Sequence, residues 1–380
     1  MNYGKKSLKL HFKNKGKIEI KSKISLKTKN DLACAYTPGV AEVCLAIAKD
    51  KKTVYDYTSR NNLIAIVTDG SRVLGLGNIG PEAALPVMEG KAILFKKFGN
   101  VDAIPICLAT QDTEEIIKTV KNIAPVFGAI NLEDIASPKC FEIEKRLKKE
   151  LDIPVFHDDQ EGTAIAILAG LINGLKLSRR KIAGAKIILC GAGAAGNATA
   201  KLLTAAGAKN LIVCDSKGAI YNSRVGNDKY KTELASLTNP KNFQGTMAEA
   251  LINADVFIGV SAPKILTREM IRAMAKNPII FALANPIGEI TPEEAKKAGA
   301  KIIGAGRSDY PNQINNLLVF PGLFRGILDA RVKEITDKTK IAAAYAIANL
   351  VPKNKLAPNY IIPSALDKRV AKAVAKAVKK

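Results

Sequence analysis

The chain has 380 residues, 47% hydrophobic and 24% charged, with a formal net charge of +23. That length is about twice a typical domain, so two or three domains with separate cores are expected, and the composition excludes a disordered chain. Aromatic residues make up 5% and Trp is absent, which argues against a stacking platform for single-stranded nucleic acid.

The lysines are spread from end to end, with dense stretches only at the termini. They read as solvated surface that also steers phosphates and dianionic substrates. The longest apolar runs, residues 342–351 and 279–284, fall short of the ~20 residues of a membrane span. The basic N-terminus lacks the apolar stretch of a secretory signal, so a cytoplasmic protein is expected. The six scattered cysteines read as reduced thiols used as small core residues.

In chain order, strand-like runs at 63–69, 103–108, 186–190, 210–214, 255–260, 278–284 and 300–306 alternate with helix-like segments. This is the pattern of an α/β protein with largely parallel sheets, whose ligands bind beyond the carboxyl ends of the strands. A domain boundary is expected near residues 154–161, just before a long Ala/Ile/Leu/Gly helix at 162–177. Beyond residue 321 the chain turns helical, and the Ala/Val/Lys segment at 370–378 reads as a docked terminal helix in preference to a membrane-surface one.

KIILCGAGAAGNATAKLL places Gly191, Gly193 and Gly196 as G-x-G-x-x-G directly after a strand and opening a helix. The second strand of the unit, NLIVCD, ends in Asp215, 24 positions after Gly191. Gly191 permits the tight turn, Gly193 lets the backbone approach a pyrophosphate, and Gly196 allows close helix–strand packing. The loop, with Ala192, Ala194 and Ala195 between the glycines, presents a helix N-terminus to the phosphates. A doubly wound Rossmann-type domain binding a dinucleotide follows. The Asp215 carboxylate suits the ribose hydroxyls of NAD and opposes the 2′-phosphate of NADP. Lys217, close behind it, is a cation able to accept that phosphate, so NADP stays open.

Two acidic pairs follow apolar runs, Glu133-Asp134 in INLEDIASPKC and Asp158-Asp159 in VFHDDQEGTA. Carboxylates converging on one rim of a sheet repel unless a cation sits between them, and all-oxygen ligation suits Mg²⁺ or Mn²⁺ better than zinc. Helix caps and surface acids are an equal reading of the same spacing. His157 beside the second pair reads as a structural histidine.

The stretches AYTPGVAEVC, IVTDGSRVLGLGNIGPEAALPVMEGKAILFK, NLEDIASPKCFEIE, VFHDDQEGTA, FALANPIGEI and SDYPNQINNLLVFPG resemble, in this order, the bacterial-type malic enzymes. The likeness runs from about residue 10 to the end and matches the short form, without an acyltransferase-like extension. It implies oxidative decarboxylation of L-malate to pyruvate and CO₂ with NAD⁺ or NADP⁺ and Mg²⁺ or Mn²⁺. It also implies a substrate- and metal-binding domain over 1–157, completed by returning helices at 316–380, around a dinucleotide-binding domain at 158–315. A homodimer is expected, with no nucleic-acid or membrane partner.

Residue by residue, the resemblance makes Tyr36 the general acid and Lys91 the general base. Glu133, Asp134 and Asp159 become the metal ligands, with Asp158 a carboxylate beside the lysine. Arg72 clamps a malate carboxylate, and Asn285 and Asn315 contact substrate and nicotinamide. Without the resemblance, Tyr36 reads as a turn residue before Pro38 and Lys91 as a surface lysine. A base at Lys91 requires its pKa to fall toward neutrality. Glu161 adds a fifth acid to the cluster, where a neutral group or His is expected.

Two other functions compete. A malolactic-type enzyme would retain its cofactor and release lactate. A nucleic-acid or anionic-surface binder on a retired dehydrogenase scaffold would account for the charge, but need not keep acids that repel one another.

Overall fold

The computed structural model describes residues 3–379. Strands β1 (Leu63–Thr68), β2 (Asp102–Cys107), β3 (Ala129–Leu132) and β4 (Val155–His157) form a parallel sheet of order β2-β1-β3-β4. Strands β5 (Lys186–Cys190), β6 (Asn210–Asp215), β7 (Gly218–Ala219), β8 (Val256–Gly259), β9 (Ile279–Ala282) and β10 (Ile302–Ala305) form a second sheet, ordered β10-β9-β8-β5-β6-β7. All of its pairs are parallel except the two-residue β7, antiparallel on the edge of β6. The fold is α/β, and the apolar runs form strands because helices cover both faces of each sheet. Every residue of β1 is buried.

Register fixes where chemistry can occur. Leu132 pairs with His157, so Glu133-Asp134 and Asp158-Asp159 leave adjacent strands at the same rim. In the second sheet Cys190 pairs with Gly259, and Gly259 with Ala282. The glycine loop, Val260-Ser261 and Leu283–Asn285 therefore emerge together. The order in which strands are added reverses between β5 and β8, the place where such sheets open a crevice.

The helix Thr163–Leu177 has an unbroken buried stretch, Ala164 to Leu175, and shares one core with Ile66 of β1 and Phe281 of β9. Its Gly170 lies against Ile314 and Phe281, and its Gly174 against Ile279. The helix Phe320–Ala330 comes back to the first sheet, with Phe320 and Phe324 at 4.6 and 5.1 Å from Phe95 and Phe324 at 5.9 Å from Phe156, between ring centroids. The helix Arg369–Val378 docks through Val370, Val374, Ala375 and Val378, so its alternating Ala/Val face is spent on the core.

The N-terminal region behaves differently. The helices Tyr3–Asn14, Lys29–Ala35 and Val40–Lys49 bury no residue. Segment Lys29–Lys49 has the length and hydropathy of a membrane-crossing helix, which the reading by apolar runs passed over. It is folded as two helices separated at 36–39. Cys34 and Cys44 lie exposed here, while Cys140, Cys190 and Cys214 are buried. The expectation of core thiols therefore fails for the first two.

Candidate active site

A cavity of about 830 Å³ lies where the two rims face each other. From the first sheet it takes Arg72, Lys91, Glu133, Asp134 and Asp159, and from the second Gly193, Ala194, Ala195, Ser261, Asn285 and Asn315. Its size and its mix of apolar wall with convergent polar groups suit a substrate and a dinucleotide together.

Lys91 sits in the last turn of the helix Gly80–Leu94 and is 7% exposed. It is therefore no surface lysine. Its ammonium donates to Glu133 Oε1 at 2.8 Å, contacts Asp158, and lies 4.2 Å above the Phe320 ring. Burial works against the charge, yet Asp158, Glu133 and Asp159 outweigh it and hold Lys91 above its ordinary range. In this arrangement Lys91 is an ammonium and not a base.

The acids explain why. Burial raises the Asp134 carboxyl to about 9, helped by repulsion from Asp159 and Glu133. Burial likewise raises Glu133, Asp158 and Asp159. Asp134 takes a left-handed backbone (φ 53°), a strained conformation for a non-glycine residue and common at functional sites. Its Oδ2 and Asp158 Oδ1 are buried without partners. Such oxygens, on mutually repelling carboxylates, fit a divalent cation.

The ligand set is not preassembled. Among the described residues no three of His, Cys, Asp and Glu stand ready to hold an ion. Glu133 is turned onto Lys91 and Asn131, and Asp159 accepts from the backbone N–H of Asp134 at 2.7 Å. His157 is fully buried, its ring nitrogens unpartnered, and burial lowers its pKa. It stays neutral and structural.

The glycine loop has the expected construction. Gly191 has φ 118°, and a Cβ there would stand 2.8 Å from the Val260 carbonyl oxygen. A Cβ on Gly196 would collide with the Gly191 carbonyl. Gly191, Ala192 and Gly196 thus build the strand–helix joint, while Gly193, Ala194 and Ala195 line the cavity.

Asp215 is not a free acceptor for ribose hydroxyls. Its Oδ1 accepts from the Lys217 backbone N–H and from Arg224, each at 2.9 Å; its Oδ2 accepts from Arg224 at 2.5 Å and from Lys231 at 2.9 Å. Partial burial opposes ionisation, but these donors hold the carboxyl far below the usual range. The Asp215 charge is balanced by Arg224 and Lys231 and does not stand free to oppose a 2′-phosphate.

Tyr36 does not join the others. It follows the helix Lys29–Ala35, is 68% exposed and does not line the cavity. Arg72, Asn285 and Asn315 do line it, and Asn315 caps the short turn Asn316–Leu318 through Leu317 N–H.

Sequence reasoning missed Arg224, Lys231 and Glu289. The last is fully buried and accepts from Ser261 and Ala284 N–H groups at 2.9 and 3.1 Å, tying together two loops of the cavity. A carboxylate next to Gly288 was its only visible trace.

Comparison with known proteins fits this geometry. Residues 13–148 match the malic enzyme N-terminal domain and residues 160–380 the malic enzyme NAD-binding domain. The chain is 56% identical to the bifunctional malic/malolactic enzyme of Bacillus subtilis, over 100% of this chain and 93% of that one. It is 57% identical to the NAD-dependent malic enzyme of Geobacillus stearothermophilus, over 96% and 76%. A crystal structure of an NAD-dependent malic enzyme from Thermotoga maritima superposes with a TM-score of 0.95, at 48% identity and 98% coverage of both chains. With both halves matched, and with Arg72, Lys91, Glu133, Asp134, Asp159, Asn285 and Asn315 gathered in one cavity, the chain belongs to the malic enzyme family.

Proposed function

We propose that the chain oxidises and decarboxylates L-malate to pyruvate with NAD⁺ or NADP⁺, using a divalent cation held by Glu133, Asp134 and Asp159. The observation that carries this reading is the single cavity in which those acids and Lys91 face the glycine loop. Arg72 pairs with a malate carboxylate, and Asn285 and Asn315 orient the substrate against the nicotinamide. Lys91 takes the proton of the malate hydroxyl as hydride passes from the carbon bearing it to the nicotinamide. A divalent cation held by Glu133, Asp134 and Asp159 would supply the Lewis acidity that loss of CO₂ from a β-keto acid needs. Neutralising Glu133 and Asp159 removes two of the three anions that keep Lys91 protonated, and Asp158 remains beside it to pass the proton on.

The malolactic alternative has a specific support, since one relative's name includes that activity. Product analysis separates the two. Equal amounts of pyruvate and reduced cofactor support the oxidative reading; lactate with no net cofactor reduction refutes it.

Tyr36 fits the general-acid role only through a second copy. The three N-terminal helices leave Leu8, Phe12, Leu32 and Leu45 exposed, and ordering such a segment without burial is costly. A symmetric dimer that covers this face brings Tyr36 to the partner's cavity. Tyr36→Phe and Lys91→Met should each be nearly inactive alone. Mixed at equal amounts with subunit exchange, they should regain about a quarter of the parent activity, because half the dimers are mixed and each then holds one intact site. No recovery, with exchange demonstrated, places Tyr36 in its own chain's chemistry or outside it.

For the cofactor, the cations around Asp215 suit a 2′-phosphate as well as a hydroxyl. Lys231→Gln is expected to weaken NADP⁺ binding about tenfold, the worth of one charge-assisted contact, and to leave NAD⁺ binding unchanged. Fluorescence titration of both dinucleotides checks this.

A further inference from the structure

The acid that the sequence left unassigned, Glu161, lies in a tight π-helical turn, Asp158–Gly162, whose other face turns Asp158 onto Lys91 and Asp159 to the cavity. The turn has no slack. A Cβ on Gly162 would collide with the Asp158 carboxylate.

The outer face of the turn is gripped by charges from two helices. Glu161 Oε1 accepts from Lys148 at 3.0 Å and contacts Lys340. Lys148, on the helix Lys139–Glu150, also reaches Glu144 at 2.9 Å. Glu144 in turn accepts from the His157 backbone N–H at 3.1 Å and from Gln160 at 2.9 Å. Lys340 comes from the helix Asp337–Ala348, 179 positions away, and its side chain is 12% exposed against 10% for Glu161. Glu144, Glu161, Lys148 and Lys340 form one charge cluster, joined at its solvent edge by Asp337 at 3.2 Å from Lys340, and the turn carrying Asp159 is its middle member.

Removing one partner of such a buried pair leaves an uncompensated charge, which the structure relieves by moving. Without Lys340, Glu161 keeps only Lys148, which it shares with Glu144, and because the turn has no slack a shift of Glu161 is passed on to Asp159. Groups that orient metal ligands from behind set affinity by factors of about 10–100.

We propose that Lys340, acting through Glu161, is a positioning residue for the divalent-cation site, and that this pair clamps the C-terminal helices to the turn bearing Asp159. The inference rests on the reading that Asp159 helps to hold a cation.

The test is Mn²⁺ titration of the full-length protein, with free Mn²⁺ read by electron paramagnetic resonance, beside nucleotide titration by fluorescence. Lys340→Met should weaken Mn²⁺ about tenfold with nucleotide affinity unchanged, and Lys340→Arg should restore it. Should Lys340→Met not fold, Glu161→Gln carries the same test with a near-isosteric side chain. Mn²⁺ affinity within twofold of the parent in a folded variant overturns the inference alone. A parent protein that binds no Mn²⁺ overturns it together with the cation site. Equal loss of Mn²⁺ and nucleotide affinity overturns it too, by showing general damage in place of positioning.

Discussion

Replacing Lys91 by Met is expected to lower malate turnover by a factor on the order of 10³, within the range of lost general-base catalysis, while strengthening Mn²⁺ binding. The two effects have one origin. The Lys91 ammonium lies between Glu133 and Asp158 and neutralises the charge that a cation would otherwise use. Without it the acids repel more strongly and attract a divalent ion more tightly. The metal-free variant should be less stable than the parent, by about 3–5 kcal/mol, because a buried ion pair has lost one partner. Added Mn²⁺ should recover most of that loss. Steady-state rates, Mn²⁺ titration and thermal unfolding check the set. A variant that is inactive and also binds Mn²⁺ more weakly would show that Lys91 orders the ligands instead of competing with the ion.

The second large effect concerns Asp134. Asp134→Asn should weaken Mn²⁺ about 100-fold or more, since loss of a ligand exceeds the loss of a group behind one. The parent protein should also show a pH signature. The Asp134 carboxyl lies near 9 in the folded metal-free chain, against about 4 when unfolded. The folded state therefore holds a proton that the unfolded chain releases. Asp134 thus contributes stability that is present below about pH 4 and lost as pH rises toward 9. Mn²⁺ binds the ionised form, so binding releases a proton and affinity rises across the same window. The gap between unfolding temperatures with and without Mn²⁺ should widen from pH 5 to pH 9, and Asp134→Asn should flatten it. A gap independent of pH in the parent would place the proton elsewhere.

What the sequence made legible depended on distance along the chain. The Gly191 loop could be read because its constraints are local: a strand, a turn with positive φ and a helix start within a few residues. The acidic pairs were found as residues after apolar runs, but their meeting on one rim needed the Leu132–His157 register. Lys91 looked like a surface lysine because the helix that carries it has little sequence amphipathicity and is buried by Phe320, contributed from far downstream.

The adenosine end misled for a related reason. Asp215 stands where a ribose-binding acid is expected, yet Arg224 and Lys231 return from the loop and helix beyond it to occupy both oxygens. No periodicity marks them. The Glu161–Lys340 contact is harder still, because it joins segments 179 positions apart. Tyr36 shows the limit of one chain: the residue is exposed and lies outside the cavity of its own chain.

The most direct test of the central claim is the absorbance of reduced nicotinamide with L-malate, NAD⁺ or NADP⁺ and Mn²⁺, followed before and after addition of a chelator. The account requires malate-dependent reduction that stops with chelation and resumes with Mn²⁺, with one pyruvate formed per cofactor reduced. Folded protein that reduces neither cofactor, or that reduces one at the same rate without any divalent ion, would contradict it.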